Sequence, residues 1–78
     1  MANHVYDDIM NGNKDTNICF SDLRYVLESN GFKLRIRGDH YIYYRADIAE
    51  LVNIQPNGKM AKPYQVKQIR RLFNLYGL

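Results

Sequence analysis

Proton transfer near neutral pH needs a group that can both take and return a proton, and His40 is the best-placed candidate in the chain. It lies in the run Arg35, Ile36, Arg37, Gly38, Asp39, His40, Tyr41, Ile42, Tyr43, Tyr44. Imidazole beside guanidinium suits acid–base chemistry on a phosphodiester, where one group moves the proton and the other balances anionic charge. Two registers place His40 differently. A two-residue Gly38-Asp39 turn with glycine leading, as a type II′ turn prefers, sets His40 opposite Arg37 on one face. A three-residue loop, Arg37 to Asp39, pairs Ile36 with His40 and Leu34 with Ile42, and turns His40 inward. Glycine position favours the first register and apolar burial the second, so both stand.

Further candidates surround this one. Gly58 to Tyr64 is a basic loop leading into a helix start, where Lys59, Lys62 and free backbone N–H groups attract phosphate or merely begin a helix. Lys67, Arg70, Arg71 and Asn74 share the polar side of the helix that follows. Tyr41, Tyr43 and Tyr44 sit beside the basic run, where tyrosine either stacks on bases or fills a core. Asp39, Asp47 and Glu50 lack the spacing of a metal site, and no phosphate-binding glycine loop or nucleophile elbow is present. The pattern calls for no metal and no cofactor. His4 reads as a surface residue of the first helix.

The elements that must position these groups follow from periodicity. Asn3 to Met10 reads as a short helix with Val5 and Ile9 on one face, closed by Asn11-Gly12. After a polar connector, Ser21 is the expected N-cap of a second helix, with Phe20 and Tyr25 spaced as a hydrophobic staple. Leu23, Val26 and Leu27 form its buried stripe, and Asn30-Gly31 its stop. From Phe32 the period becomes two: Phe32, Leu34 and Ile36 face inward, while Lys33, Arg35 and Arg37 form a basic outer face. His40 to Arg45 is a second strand and Glu50 to Gln55 a third. Pro63 opens a last helix, with Val66, Ile69, Leu72, Phe73 and Tyr76 on its apolar side and Gly77 at its end. The predicted fold is α+β: a three-stranded antiparallel sheet with helices on one face and the other face free.

At 78 residues this is one small domain, marginal alone, a size compatible with a homodimer or a permanent partner. Residues 1–31 carry two Lys or Arg against five Asp or Glu, and residues 32–78 carry nine against three. Such asymmetry points the second part toward a polyanion or leaves it a solvated basic surface. Cys19, alone, excludes an intrachain disulfide and fits a reducing, cytoplasmic setting. The start lacks the pattern of a secretory signal, and no apolar run is long enough to span a membrane.

Gly31-Phe32, then Arg37-Gly38-Asp39-His40-Tyr41-Ile42-Tyr43, resembles the Gly-Phe and Gly-Ser-His segments of the HicA toxins. The likeness continues through Asn53 to Gly58, through Ala61 to Arg70, and to Tyr76-Gly77-Leu78. It divides the chain into an N-terminal helical extension and connector, 1–19, and a HicA-like domain, 20–78. The resemblance implies a fold like the double-stranded-RNA-binding domain and a toxin that cleaves mRNA. It places the family's catalytic histidine at His40, and it implies a HicB antitoxin that covers the active surface. Asp39 stands where the family usually has serine, which sets a carboxylate beside that histidine. On this reading Arg35, Arg37, Lys59, Lys62, Lys67 and Arg70 bind RNA. Two other classes remain open: a non-catalytic RNA-binding module, and a protein-interaction domain with a basic partner-binding face.

Overall fold

A computed structural model describes residues 2–78, with side chains from His4 onward, and the elements follow in the order expected. They are α1 (Ala2–Asn11), α2 (Phe20–Ser29), β1 (Lys33–Arg37), β2 (His40–Arg45), β3 (Ile48–Ile54) and α3 (Pro63–Tyr76). The strands form one antiparallel sheet in the order β1-β2-β3. Side chains from all three helices meet its inner face: Ile9 from α1, Leu23, Val26 and Leu27 from α2, and Val66, Ile69, Leu72 and Phe73 from α3. The sheet contributes Tyr43, Val52 and Ile54 to the same core. No helix among the described residues is long and apolar enough to cross a membrane.

Register follows the glycine-led turn. Arg37 pairs with His40, Ile36 with Tyr41, Arg35 with Ile42, Leu34 with Tyr43 and Lys33 with Tyr44. Gly38 has φ of 61°, whereas no non-glycine residue described has a positive φ, so Asp39 follows it with a negative one. That is the type II′ pattern. The rival register would have buried Ile42, but the core takes tyrosine instead. Tyr43 is fully buried and its hydroxyl donates to Glu28 at 2.5 Å while accepting from Arg24 at 2.9 Å. A buried phenol is tolerated because its polar tip is satisfied. Burial, then donation to Glu28, pushes the Tyr43 pKa up to about 12, so it stays a neutral phenol at any ordinary pH.

Several sequence expectations are corrected. The N-cap of α2 is Cys19, not Ser21, and it makes no side-chain cap. Main-chain pairing decides this: Phe20 N–H donates to Lys59 O, and Ala61 N–H to Ile18 O, which holds Cys19 extended until the helix begins. Phe20 is therefore helical and packs edge-on against Tyr41, while Tyr25 is left 53% exposed and no staple closes. Ile36, expected inside, is 52% exposed because the inner layer covers β1 only toward its Phe32 end. The third strand begins at Ile48, earlier than the expected Glu50, after a tight turn and a register irregularity between Tyr43 and Arg45. Tyr76, expected on the buried side of α3, is partly exposed and donates its hydroxyl to Glu50.

Two polar contacts tie the helices to the rest. Arg70 was expected on the solvated side of α3 and among the RNA ligands; instead its guanidinium grips Asp15 with two bonds of 2.9 and 3.0 Å and donates to Ile9 O at 2.9 Å. A bidentate partner satisfies it better than water does. Gly12 lies against this group: a Cβ there would stand 3.1 Å from Arg70 Nη1, and its φ of 76° also suits glycine. The Arg70 bond holds the Asp15 carboxyl below its ordinary value of 3.8, against the opposing effect of burial. The second contact is Gln65, 2% exposed, whose amide oxygen accepts from Gln55 N–H at 3.1 Å and whose nitrogen donates to Gln55 O at 3.2 Å, the orientation that satisfies both groups.

Asp15→Asn is expected to lower the unfolding free energy by about 1 kcal/mol at pH 7. Because the folded-state value is depressed, this contribution is full above the unfolded carboxylate range and is lost as pH falls through the folded value. Urea unfolding of both proteins should thus show a gap at neutral pH that closes in acid; a gap constant with pH would refute the ion pair. Gln65→Leu leaves two main-chain groups of Gln55 without their partner and should cost about 2 kcal/mol. Faster amide exchange at Gln55 would accompany it, and unchanged exchange would show that the pairing does not hold the end of β3.

Candidate nucleic-acid interface and acid–base centre

Pairing carries neighbours on the outer face across all three strands. Arg37 lies opposite His40; one pair along, Arg35, Ile42 and Asn53 make the next row, and Lys33 with Tyr44 the one after. Continuing the β2–β3 register by one residue brings Gln55 beside His40. A face predicted from alternation alone is thereby a mapped surface, cationic along β1 and amide-bearing along β3.

His40 is partly open to solvent, its side chain 47% exposed. Its Nδ1 lies 3.1 Å from Asn53 Oδ1, and its Nε2 lies 3.2 Å from Gln55 Nε2. Asp39 Oδ1 stands 3.8 Å from Nε2 and is itself 72% exposed. The Gln55 amide reaches both Asp39 oxygens at 3.5 Å, and its own oxygen accepts from Lys62 Nζ at 3.3 Å. The ring is thus held between two amides; Lys62 ends the network beyond Gln55, and Asp39 lies beside both Gln55 and Nε2. Asp39 has a use here: its carboxylate accepts the Gln55 N–H that is not directed at His40.

The predicted cations separate into groups. Arg37 borders His40 directly, and Lys62 reaches it through Gln55. Arg35 lies one row away with its guanidinium 5.8 Å from the centre of the Tyr44 ring, a cation–π contact. Lys59 is exposed in the tight turn from Asn57 to Met60, which closes with two main-chain bonds around Gly58. Lys67 is exposed on α3 and its charge acts on Asp15, so it sits with Arg70 on the side of α3 that faces the connector. Arg70 is engaged internally, as described. Lys67 and Arg70 are therefore not brought to His40.

The tyrosine cluster divides likewise. Tyr41 and Tyr43 point inward, Tyr41 packing against Phe20 with Arg24 4.8 Å from its ring centre. Only Tyr44 of the three shares the outer face with His40. The carboxylates also disperse: Asp47 pairs with Arg45 at 2.8 Å, and Glu50 accepts from Tyr76. Among the described residues no three His, Cys, Asp or Glu side chains are grouped closely enough to hold a metal ion. Asn53 and Gln55 were not singled out as site residues from the sequence. Their signal was available in the alternation of Asn53 and Gln55 around Ile54, but it points to His40 only once the strand registers are known.

The family model described as HicA toxin of bacterial toxin-antitoxin matches residues 20–75 of the 78-residue chain. No curated protein and no solved structure matches it. The matched segment takes in α2, the whole sheet and nearly all of α3, and so includes His40 with its polar partners Asp39, Asn53 and Gln55. The chain belongs to the HicA toxin family and is the toxin of a toxin–antitoxin pair.

Proposed function

We propose that this toxin is an endoribonuclease that cuts mRNA, with His40 as its acid–base group. The observation that carries the reading is the partly exposed His40 on the outer face, opposite Arg37 and linked through Gln55 to Lys62. The substrate's own 2′-hydroxyl supplies the nucleophile. As the O2′–P bond forms and the P–O5′ bond breaks, one proton leaves the 2′-oxygen and one reaches the 5′-oxygen, and His40 serves one of these transfers. Using a hydroxyl present only in ribose restricts the reaction to RNA and requires no metal-bound nucleophile. Arg37, with Arg35 behind it, balances charge on the non-bridging oxygens. Lys59 and Lys62 hold the strand electrostatically, with Lys67 at greater remove. Arg70 is no longer in this set, since Asp15 occupies its guanidinium.

Residues 20–78 form the toxin unit in this reading, and residues 1–19 are an extension fastened to it by Ile9, Asp15 and the bond from Tyr6 to the Leu78 carbonyl. The partner is a HicB-type antitoxin whose acidic or polar surface covers the outer face, and the setting is the cytoplasm.

Purified protein should cleave a structured mRNA in EDTA, and His40→Ala should reduce the rate by about 10²–10⁴-fold with the fold intact by circular dichroism. Binding without cleavage by the unaltered chain would favour a non-catalytic RNA-binding module. Negligible RNA affinity at low salt would favour a protein-interaction domain. A requirement for added magnesium would overturn the mechanism.

A further inference from the structure

The contacts around His40 specify which ring nitrogen carries the proton. Lysine ammonium is a donor only, so Gln55 must turn its oxygen toward Lys62, 3.3 Å away. A carboxylate is an acceptor only at neutral pH, so the Gln55 nitrogen must face Asp39, as it does at 3.5 Å to both oxygens. These two neighbours orient the amide from opposite ends without reference to the histidine. The nitrogen so placed lies 3.2 Å from His40 Nε2 and can only donate, so Nε2 must accept. In a neutral imidazole the proton then resides on Nδ1, where Asn53 Oδ1 waits 3.1 Å away.

We propose that Asn53 and Gln55 are positioning residues that hold His40 as the Nδ1–H tautomer, with the Nε2 lone pair accepting from Gln55 until RNA is bound. This is the opposite of the tautomer that free histidine favours in water, so the protein must impose it. The assignment rests on the nuclease reading only in naming the substrate. There it selects between the two proton transfers: a neutral ring whose Nε2 is unprotonated acts as base on the 2′-hydroxyl. That hydroxyl replaces the Gln55 amide as the donor to Nε2, one hydrogen bond exchanged for another, and its proton passes to Nε2 as O2′ bonds to phosphorus and the P–O5′ bond breaks, the departing 5′-oxygen taking its proton from water. The Gln65 clamp on the Gln55 main chain fixes where this amide starts from. Asn53 then acts through His40 alone, orienting the ring by the Nδ1–H bond as the third member of a triad does.

The test is the nitrogen-15 spectrum of His40 in the full chain at alkaline pH. The expected pattern is a protonated, pyrrole-type Nδ1 and an unprotonated, pyridine-type Nε2. Asn53→Ala should move the pattern toward the Nε2–H form, and Asn53→Asp, which keeps an acceptor, should restore Nδ1–H. In RNA cleavage, Asn53→Ala should lower kcat on the order of tenfold, with KM changed less than about twofold, the size expected for one lost neutral hydrogen bond. A pyridine-type Nδ1 in the unaltered protein overturns the assignment whatever the cleavage result. A pyrrole-type Nδ1 that Asn53→Ala leaves unmoved overturns the role of Asn53. Should the chain show the expected spectrum yet leave RNA intact, the tautomer assignment stands and the nuclease reading falls.

Discussion

A single residue at positive φ, Gly38, settles which side of the sheet every side chain occupies. The turn it leads pairs Arg37 with His40, and because side chains alternate along a strand, the pairing propagates to both faces. A slip of one residue, with β1 kept in place, would turn His40 and Ile42 toward the helices and leave Tyr41 and Tyr43 in water beside the arginines. Tyr43 secures the same register from within. Its ring lies in the core, and its hydroxyl is captured by Glu28 and Arg24 on α2, which no outward-facing residue could reach. Turn geometry and buried hydrogen bonding thus agree, and that agreement outweighs the apolar burial of one isoleucine.

The distribution of charge follows from this arrangement more than from composition. Arg24 is used against Tyr43 and Glu28, Arg45 against Asp47 and the Asn30 carbonyl, and Arg70 against Asp15. What remains on the outer face is the run Lys33, Arg35 and Arg37, with amides on β3 and a single carboxylate, Asp39, at the turn. A surface of this kind suits a polyanionic substrate and equally suits an antitoxin that would occlude it. Like charges along β1 repel one another, and an anionic partner relieves that repulsion.

Polar side chains take over positioning where the core is too small to do so. Gln65 joins α3 to the end of β3, Arg70 joins α3 to the connector after α1, and Cys19 and Met60 pair their main chains ahead of α2. Gln65 and Cys19 act near element ends, whereas Arg70 reaches Asp15 from the middle of α3. The proposed acid–base centre is built on one of these junctions. Gln55 is held through its main chain by Gln65 and meets His40 through its side chain, so the geometry of the ring depends on how α3 docks.

The element order, the amphipathic stripes of α2 and α3, the α+β class and the candidacy of His40 and Arg37 were all legible in the sequence. Each is encoded locally, by periods of 3.6 or 2, by glycine at a turn, or by a short motif. The register itself was not legible, because two local preferences opposed each other at Gly38 and Ile42. Nor was the start of α2, since Ser21 has the chemistry of a cap but Cys19 is held extended by a strand-like contact with residues 59–61. Arg70 looked like a solvated cation because its partner, Asp15, lies 55 residues away. Asn53, Gln55 and Lys62 became neighbours of His40 only through two strand pairings and the docking of a helix. Local sequence thus determined which groups can do chemistry, and long-range packing decided which of them meet, because hydrogen bonds over a few ångströms are set by the fold and not by spacing along the chain.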